Sequence, residues 1–466
     1  MSEPVYHSIQ ELLDQLKTGC GHTFAELDVN HRLTGVGRND KGALGKIVEE
    51  GVYHYSVNSR AEADFANLGV ELKTTGYNKT RNGLSFKERL PLNTFNYQNV
   101  ESQEFEDSDM WHKCQQLLVA LYEYLEGKTY GEMTLDSGFY HTFSKEDIEI
   151  LKQDYEILRK KIKNGTADTI SETDTTYLGA CTSGAGHGKL DTTASRHYHL
   201  DLKPRKFALK AVYMTGVLRR LFSKGKIESV IDYEELKEKS VEDIILDRLK
   251  PYIGKTESQL MEMFRVGDTS KSRFERYVAG MLGAKGKVNA TEEFVKGGFE
   301  LKTIRVEANG LIEQNMSFPY FDFREIVEQE WEDTEFYQML ANKKYLFAIF
   351  ENNGNEYIFT RVKLWHIPGE ILDEEGYKVF SELKKVLLSG NIVRGFRTQK
   401  NGKTIRLNNF PKSSANPYFH VRPHGEDSED TNPLPVEDKL TGVTEYTKQC
   451  FWLKKSYVLK IIREDD

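Results

Sequence analysis

The sequence has few cysteines and no long apolar segment. Its four cysteines, Cys20, Cys114, Cys181 and Cys450, lie far apart and never in a CxxC spacing. This predicts free thiols in a reducing compartment and excludes a disulfide framework or a zinc site. No apolar run approaches the roughly 18 residues of a membrane-spanning helix. The first residues, MSEPVYHSIQELLDQL, also lack the basic start and apolar core of a signal peptide. We therefore expect a cytoplasmic protein with no membrane partner.

An excess of positive charge is also absent, since the formal net charge is −8. This does not exclude a nucleic-acid partner, because phosphate binding depends on a local basic groove and not on the total charge. The acidic residues are concentrated in segments 101–109, 328–335 and 425–438. The last segment contains two prolines and no apolar periodicity, which predicts a mobile surface loop.

The sequence contains an internal repeat. The segment DFANLGVELKT, which begins at Asp64, recurs as EFVKGGFELKT from Glu293. Segment 21–27 matches 254–260, and segment 207–221 matches 451–465, in the same order along the chain. Because 466 residues are too many for one ordinary core, we predict two tandem copies of one domain. They comprise residues 1–230 and 245–466, joined by a linker over 231–244.

Each copy has the pattern of a mixed α/β (α+β) domain. Apolar residues at helical spacing predict helices over 8–17, 42–51 and 146–165. Alternating or continuous apolar residues predict strands over 68–75, 90–97 and 115–124, and 342–351 is the counterpart of the last strand in the second copy. We therefore expect a central mixed sheet flanked by helices in each copy.

The segment around Glu71 contains the residues that indicate chemistry. In a strand, Glu71 and Lys73 lie on the same face, and Asp64 precedes them by a short turn. Two carboxylates provide the hard oxygen ligands that Mg²⁺ prefers, and a lysine beside them can orient or deprotonate an attacking water. The pattern favours metal-dependent phosphodiester cleavage. The alternative is an ion pair on an edge strand, although the recurrence of Glu-Leu-Lys at Glu300 argues against it.

Four segments then resemble a known family. Segments 41–51, 64–75, 111–123 and 207–220 are similar to the MutH mismatch-repair nicking endonuclease, and more closely to the two-domain type II restriction endonucleases of that class, which cut at GATC. Further similar stretches are 86–97, 177–185, 316–323 and 420–424. The resemblance implies a restriction-endonuclease-like domain, dependence on Mg²⁺ and cleavage of unmodified double-stranded DNA.

The resemblance also implies roles for individual residues of the first copy. Asp64 and Glu71 match the metal ligands, and Glu49 matches an additional carboxylate near the metal. Lys73 matches the catalytic lysine, and Lys113 matches a lysine that approaches the scissile phosphate. Without the resemblance, Glu49 would be interpreted as an exposed helix glutamate and Lys113 as part of a polar lead into a buried strand.

Residues that contact DNA are harder to assign. Segment 177–199 is small, polar and rich in glycine, as expected of a loop that enters a groove. Lys189 and Arg196 are candidate phosphate or base contacts there, and Lys210 resembles a family lysine behind the DNA-facing surface. Arg422, in segment 420–424, is the candidate in the second copy. The alternative for each of them is an ordinary solvated surface charge.

The second copy departs from the pattern of the first. It retains Glu300 and Lys302, but we expect Glu293 in the place of Asp64 and Ala279 or Gly280 near the place of Glu49. Segment 340–350 offers no clear match for Lys113. We therefore expect this copy to bind DNA without cutting it.

A chain with one active centre would need two chains or two successive visits to break both strands, so we expect a transient dimer on DNA. The resemblance also implies a cognate DNA methyltransferase in the same system. Two alternative functions are a strand-nicking repair endonuclease, which would normally be a single copy, and a non-catalytic DNA-binding sensor of methylation.

Overall fold

The computed structural model describes residues 4–34, 41–56, 62–80, 83–125, 127–182, 190–222, 227–267, 270, 272–398, 402 and 404–464. The chain forms two compact units. Unit 1 comprises residues 1–245 together with 290–298, and unit 2 comprises 246–289 and 299–466. The division at 245 falls at the end of the predicted linker. The assignment of 290–298 to unit 1 was not predicted from the sequence.

The first part of the chain alternates helices and strands. Its α-helices are α1 Ile9–Gly19, α2 Phe24–Leu27, α3 Lys41–Ile47, α4 Tyr97–Ser102, α5 Asp109–Cys114, α6 Lys145–Lys163, α7 Thr192–Tyr198, α8 Ala211–Phe222, α9 Tyr233–Glu238 and α10 Val241–Leu249. Its strands are β1 Glu71–Thr80, β2 Gly83–Phe86, β3 Leu90–Phe95, β4 Gln116–Glu123, β5 Leu135–Thr142, β6 Leu178–Thr182 and β7 Arg205–Leu209. A π-helical turn, Val48–Val52, follows α3 directly.

Unit 1 is built on two sheets. The larger sheet has the strand order β2-β1-β4-β5, and the smaller has the order β3-β7-β6. Strands β1 and β4 pair in parallel, with Glu71 opposite Leu117, whereas β2 and β5 are antiparallel to their neighbours. The apolar residues 117–122 of β4 are all buried. The predicted central strand of a mixed sheet is therefore confirmed.

The second part of the chain continues with the remaining elements. Its α-helices are α11 Glu257–Phe264, α12 Arg273–Leu282, α13 Glu292–Gly297, α14 Phe323–Glu328, α15 Glu335–Ala341, α16 Tyr377–Ser389 and α17 Lys455–Arg463. Its strands are β8 Phe299–Val306, β9 Met316–Phe321, β10 Lys344–Asn352, β11 Tyr357–Trp365, β12 Val393–Thr398, β13 Thr404–Asn408, β14 Phe419–Pro423, β15 Thr431–Pro433, β16 Glu445–Thr447 and β17 Gln449–Leu453. Short 3₁₀ or π turns lie at Tyr130–Glu132, Ala167–Thr169, Glu172–Asp174, Lys250–Tyr252, Val288–Ala290, Trp331–Asp333 and Ile371–Gly376.

Unit 2 repeats the strand order of unit 1. Its sheet β8-β10-β11 has a parallel pair, β8 and β10, and an antiparallel third strand, like β1-β4-β5. Its sheet β9-β17-β14 corresponds to β3-β7-β6, and a helix follows the middle strand of each, α17 after β17 and α8 after β7. Two antiparallel pairs, β12 with β13 and β15 with β16, are added in unit 2. The shared strand order supports the predicted duplication.

A local detail of the repeat points the same way. Gly21 and Gly254 both adopt a left-handed backbone, with φ of 90° and 89°, which glycine adopts without steric cost. The Gly21 N–H donates to the Leu135 carbonyl, and the Gly254 N–H donates to the Phe359 carbonyl. Two residues later, Thr23 and Thr256 each cap a helix by a capping box. The matching segments therefore fold alike.

Three other predictions have mixed outcomes. The predicted linker 231–244 is largely helical, as α9 and the start of α10. The prediction that 425–438 is only a mobile loop was wrong, because the segment contains β15. Asp438 at its end is fully buried and accepts hydrogen bonds from the N–H groups of Ile392 and Val393. All four cysteines are free thiols, as predicted. Across the described ranges, no helix combines the length and the apolar character needed to cross a bilayer.

Candidate active site

The start of β1 holds the central pair of the candidate site. Val70 and Leu72 are buried in the core of unit 1, which directs Glu71 and Lys73 to the opposite face of the strand. The Glu71 side chain is only 4% exposed, and the Lys73 ammonium donates to its Oε1 atom at 2.8 Å. Lys73 also donates to the carbonyl oxygen of Leu92 at 3.0 Å. The predicted shared face is confirmed.

Asp64 is held against this pair by a tight turn. Phe65 and Val70 form a β-bridge that closes the turn. The N–H of Leu72 donates to Asp64 Oδ2 at 2.9 Å, and the N–H of Asp64 donates to Glu71 Oε2 at 3.2 Å. The backbone of the turn therefore fixes the position of both carboxylates, independently of any bound ion.

Lys113 reaches the same carboxylate from a different element. It lies in the last turn of α5, a helix that begins with a Ser108 cap and ends immediately before β4. Because β4 runs parallel to β1, this helix end lies beside the start of β1. The Lys113 ammonium is 3.6 Å from Glu71 Oε1 and donates to the Glu62 carbonyl at 3.3 Å. The polar segment before β4 is therefore a short helix that brings Lys113 to Glu71, and the catalytic role of Lys113 stays a prediction.

Glu49 lies in the π-helical turn and faces the same group. Burial raises the pKa of Glu49 to about 7, and the negative charges of Asp64 and Glu71 add to this shift. Burial likewise raises the pKa of Asp64 to about 6, and the negative charge of Glu71 is the second cause of this shift. Adjacent Glu50 behaves differently, because its hydrogen bonds with Arg32 lower its pKa. Glu49 is thus the member of the pair that belongs to the carboxylate group.

The chemistry of this group fits a divalent cation. Its carboxylates are hard oxygen donors, and their mutual repulsion would be relieved by positive charge between them. The buried hydroxyl of Tyr55 also has no hydrogen-bond partner within the described ranges, and its pKa is raised by burial and by the charges of Asp64, Glu49 and Glu71. No motif in the sequence indicated Tyr55. Among the described residues, no three His, Cys, Asp or Glu side chains converge closely enough to form a ready-made metal cluster.

Lys73 is a charged group in this arrangement. Burial disfavours its ammonium, but the acidic groups around it, Glu71 first among them, together outweigh that effect and raise the pKa of Lys73. A protonated lysine donates hydrogen bonds and does not accept a proton. In its protonated form Lys73 can therefore orient a water molecule or a phosphate oxygen.

The residues predicted to contact DNA lie in different settings. Lys189 lies outside the described residues. Arg196 is exposed on α7, and Arg422 is exposed on β14, where its guanidinium lies 5.5 Å from the centre of the Trp452 ring. Lys210 is only 9% exposed, and its ammonium donates to the carbonyl oxygens of residues 172 and 175. DNA contacts by these residues stay predictions, and the burial of Lys210 favours a role in holding the 172–175 turn.

The second copy has a related but altered arrangement. Leu301 donates its N–H to Asn289 Oδ1 at 2.7 Å, as Leu72 donates to Asp64. Asn289 therefore takes the place of Asp64, and the prediction that Glu293 does so was wrong. Glu293 lies in α13, where its Oε1 atom accepts the N–H groups of Val230 and Ile231 at 3.0 Å each.

Other positions of the second copy also differ. Near the place of Glu49, α12 carries Ala279 and Gly280, and the ring of Phe264 fills the space that a side chain at 280 would need. Sequence comparison of the two copies indicated no match for Lys113, but the structure shows Lys343, whose ammonium donates to Glu300 Oε2 at 2.7 Å. Both copies thus have one glutamate between two lysines, but at the matching described positions the second copy lacks the additional carboxylates that accompany Glu71 in the first.

Comparison with known proteins gives relatives for both halves. The family model for the DNA mismatch repair enzyme MutH matches residues 53–154. The chain is 30% identical over 492 aligned positions to the type II restriction enzyme Sau3AI of Staphylococcus aureus, covering 98% of this chain and 99% of that protein. The DNA mismatch repair protein MutH of Pasteurella multocida (strain Pm70) is 29% identical over 216 positions, or 45% of this chain and 95% of its own. The MutH protein of Shewanella sp. (strain W3-18-1) is 25% identical over 221 positions, which cover 46% of this chain and 96% of that protein. Proteins about half as long thus match at nearly full length.

Proposed function

Because the chain belongs to the MutH-like type II restriction endonucleases, we propose that it hydrolyses phosphodiester bonds of double-stranded DNA at a short palindrome, GATC, and that the reaction needs Mg²⁺. The observation that carries this proposal is the buried carboxylate of Glu71, which has two lysine ammoniums on one oxygen and the half-buried carboxylates of Asp64 and Glu49 close by. A structural ion pair would need neither the second lysine nor the additional carboxylates, which repel one another.

The residues of the site divide into two roles. Asp64 and Glu71, with Glu49 beside them, would hold the cation. When bound, such a cation polarises a phosphoryl oxygen and makes a water molecule more acidic. Lys73 and Lys113 place two positive donors where a scissile phosphate would meet the carboxylates. Preorganised donors of this kind stabilise the negative charge that develops in the transition state.

The two units have different roles in this proposal. Unit 1 cuts, and unit 2 binds DNA without cutting, because it has Asn289 in the place of Asp64 and carries Ala279 and Gly280 near the place of Glu49. A double-strand break then requires two chains that meet transiently on DNA, or two successive visits by one chain. A cognate DNA methyltransferase and a cytoplasmic location complete the proposal.

A plasmid assay tests the function. Supercoiled plasmid with GATC sites is incubated with the protein and Mg²⁺, and linear products are expected, with ends that map to GATC. Nicked circles alone would favour a repair nickase, and unchanged plasmid would favour a methylation sensor. Glu71→Gln should abolish cutting. The matched control is Glu123→Gln, which changes a carboxylate at the far end of β4 that pairs with Lys79 at the surface.

A further inference from the structure

The altered centre of unit 2 carries a different charge from the centre of unit 1. Glu300 and Lys302 lie on one face of β8, and Lys343 reaches them from just before β10, the parallel neighbour of β8. The Lys302 ammonium is 3.2 Å from Glu300 Oε1, and the Lys343 ammonium is 2.7 Å from Glu300 Oε2. With neutral Asn289 in the place of an aspartate, one negative charge faces two positive charges.

Such a group is unsuited to a cation. Burial disfavours the charged form of Glu300, but the charges of Lys343 and Lys302 outweigh it and lower the pKa of Glu300. Both carboxylate oxygens are already engaged by ammoniums. A divalent ion would have to displace a lysine from a site that provides one charged ligand, whereas hard cations are normally held by several.

The same group is suited to an anion. Each ammonium has three N–H donors, and in the described part of the chain Glu300 is the partner of one donor on each lysine. The two lysine side chains remain 29% and 26% exposed, whereas Glu300 is 16% exposed. Glu300 thus holds two like charges side by side and leaves donors available to solvent.

We propose that Lys302 and Lys343, held by Glu300, form a metal-independent seat for a backbone phosphate of DNA in unit 2. The proposal rests on the function proposed above, because it takes DNA as the source of the phosphate. A centre related to the one in unit 1 has here exchanged a cation between carboxylates for a phosphate between lysines. Unit 2 then binds DNA through the residues that correspond to the cutting centre.

Binding in excess EDTA tests the seat separately from cutting. A labelled GATC duplex is titrated with the full-length protein at several salt concentrations. The double variant Lys302→Gln/Lys343→Gln should bind about tenfold more weakly. It should also lower the slope of log affinity against log salt by about 1, because each neutralised phosphate contributes about 0.9 to that slope. Lys378→Gln is the control, since it removes a lysine that lies on α16 of the same unit and is paired with Glu375.

The carboxylate separates an anion seat from a metal site. Glu300→Gln should bind the duplex in EDTA at least as tightly as the wild type, because the net positive charge of the group increases. Two single variants then separate charge from folding. Lys343→Arg should keep the wild-type salt slope, whereas Lys343→Gln should lower it, so misfolding is excluded as the cause of the lower slope. The proposal would be overturned if the double variant bound the duplex as tightly as Lys378→Gln does. It would also be overturned if Glu300→Gln bound the duplex more weakly than the wild type only when Mg²⁺ is present.

Two further arms complete the test. Inorganic phosphate is titrated calorimetrically at constant ionic strength; if it binds through these lysines while duplex affinity stays unchanged in the double variant, the seat serves free phosphate and the proposal is wrong. Wild-type cleavage of plasmid in Mg²⁺ is measured in parallel. Absence of cutting would refute the proposed function, whereas the salt slope in EDTA would still decide the seat.

Discussion

Asp64→Asn converts the carboxylate of the first copy into the residue that the second copy carries at the same place. The amide keeps an oxygen that can accept the Leu72 N–H, as Asn289 accepts the Leu301 N–H. The local hydrogen bond is therefore retained, and only the charge is lost. This substitution separates the chemical role of Asp64 from its structural role.

The structure indicates opposite effects of Asp64→Asn on rate and on stability. Loss of one preorganised charged group at the reacting centre typically costs about 100- to 1,000-fold in rate, or about 3–4 kcal/mol. Stability should not fall. Burial and Glu71 raise the pKa of Asp64 from 3.8 to about 6, so the ionised carboxylate opposes folding above that pH. Its removal should increase the free energy of unfolding at pH 8 by at most about 3 kcal/mol.

The assay combines plasmid cleavage in Mg²⁺ with urea unfolding in EDTA at pH 8. Asp64→Asn should unfold at a urea midpoint equal to or above that of the wild type. It should cut at about 1% of the wild-type rate or less, which is the loss expected when one preorganised charged group is removed. Asp322→Asn is the control, because Asp322 accepts backbone N–H groups at the start of α14 in unit 2. A variant that cuts at more than about a tenth of the wild-type rate would refute the assignment of Asp64 as a cation ligand. A clear loss of stability would refute the repulsion among the carboxylates.

Four further predictions follow from contacts in unit 1 and from the proposed cation. Glu293→Ala should lower the free energy of unfolding by about 2–4 kcal/mol in urea, because the half-buried N–H of Val230 and the buried N–H of Ile231 lose their acceptor; an unchanged midpoint would contradict this. Lys296→Met should lower the free energy of unfolding by about 3–5 kcal/mol, because buried Asp147 loses its cationic partner at 2.8 Å, and adding Asp147→Asn should restore part of that loss. Burial lowers the pKa of His141 to about 4, so stability should fall as the pH drops from about 6.5 to 4, and His141→Gln should flatten that part of the profile. Calcium should support DNA binding without cutting, because it accepts looser geometry than Mg²⁺; cleavage in calcium alone, or in excess EDTA, would contradict the proposed cation role.

The elements with one strong local pattern were predictable. The apolar run of β4 predicted a central strand, and residues 117–122 are all buried. The alternation around Glu71 predicted that its side chain and that of Lys73 share a face, and the distance between them confirms it. Both signals depend on neighbours in sequence, since the period of a strand alone decides which residues point together.

Contacts between distant elements were not predictable from spacing. Lys113 meets Glu71 because β1 and β4 pair in parallel and α5 ends just before β4. The resemblance to the family indicated its role, but the local sequence indicated only a polar segment. Lys343 shows the same limit more clearly, because it supplies the second lysine from just before β10 and not from a helix like α5.

Asn289 shows why sequence spacing misplaced the key residue of the second copy. Glu293 stands as far before Glu300 as Asp64 stands before Glu71, but the intervening chain forms α13 and not a bridged turn. What defines the position is a backbone requirement, since the N–H of the residue after the glutamate needs an acceptor. An aspartate and an asparagine meet that requirement equally well, yet only the aspartate brings a charge for a cation. If Asp64→Asn still cuts, Asn289 cannot be the reason for the lack of cutting that is proposed for unit 2.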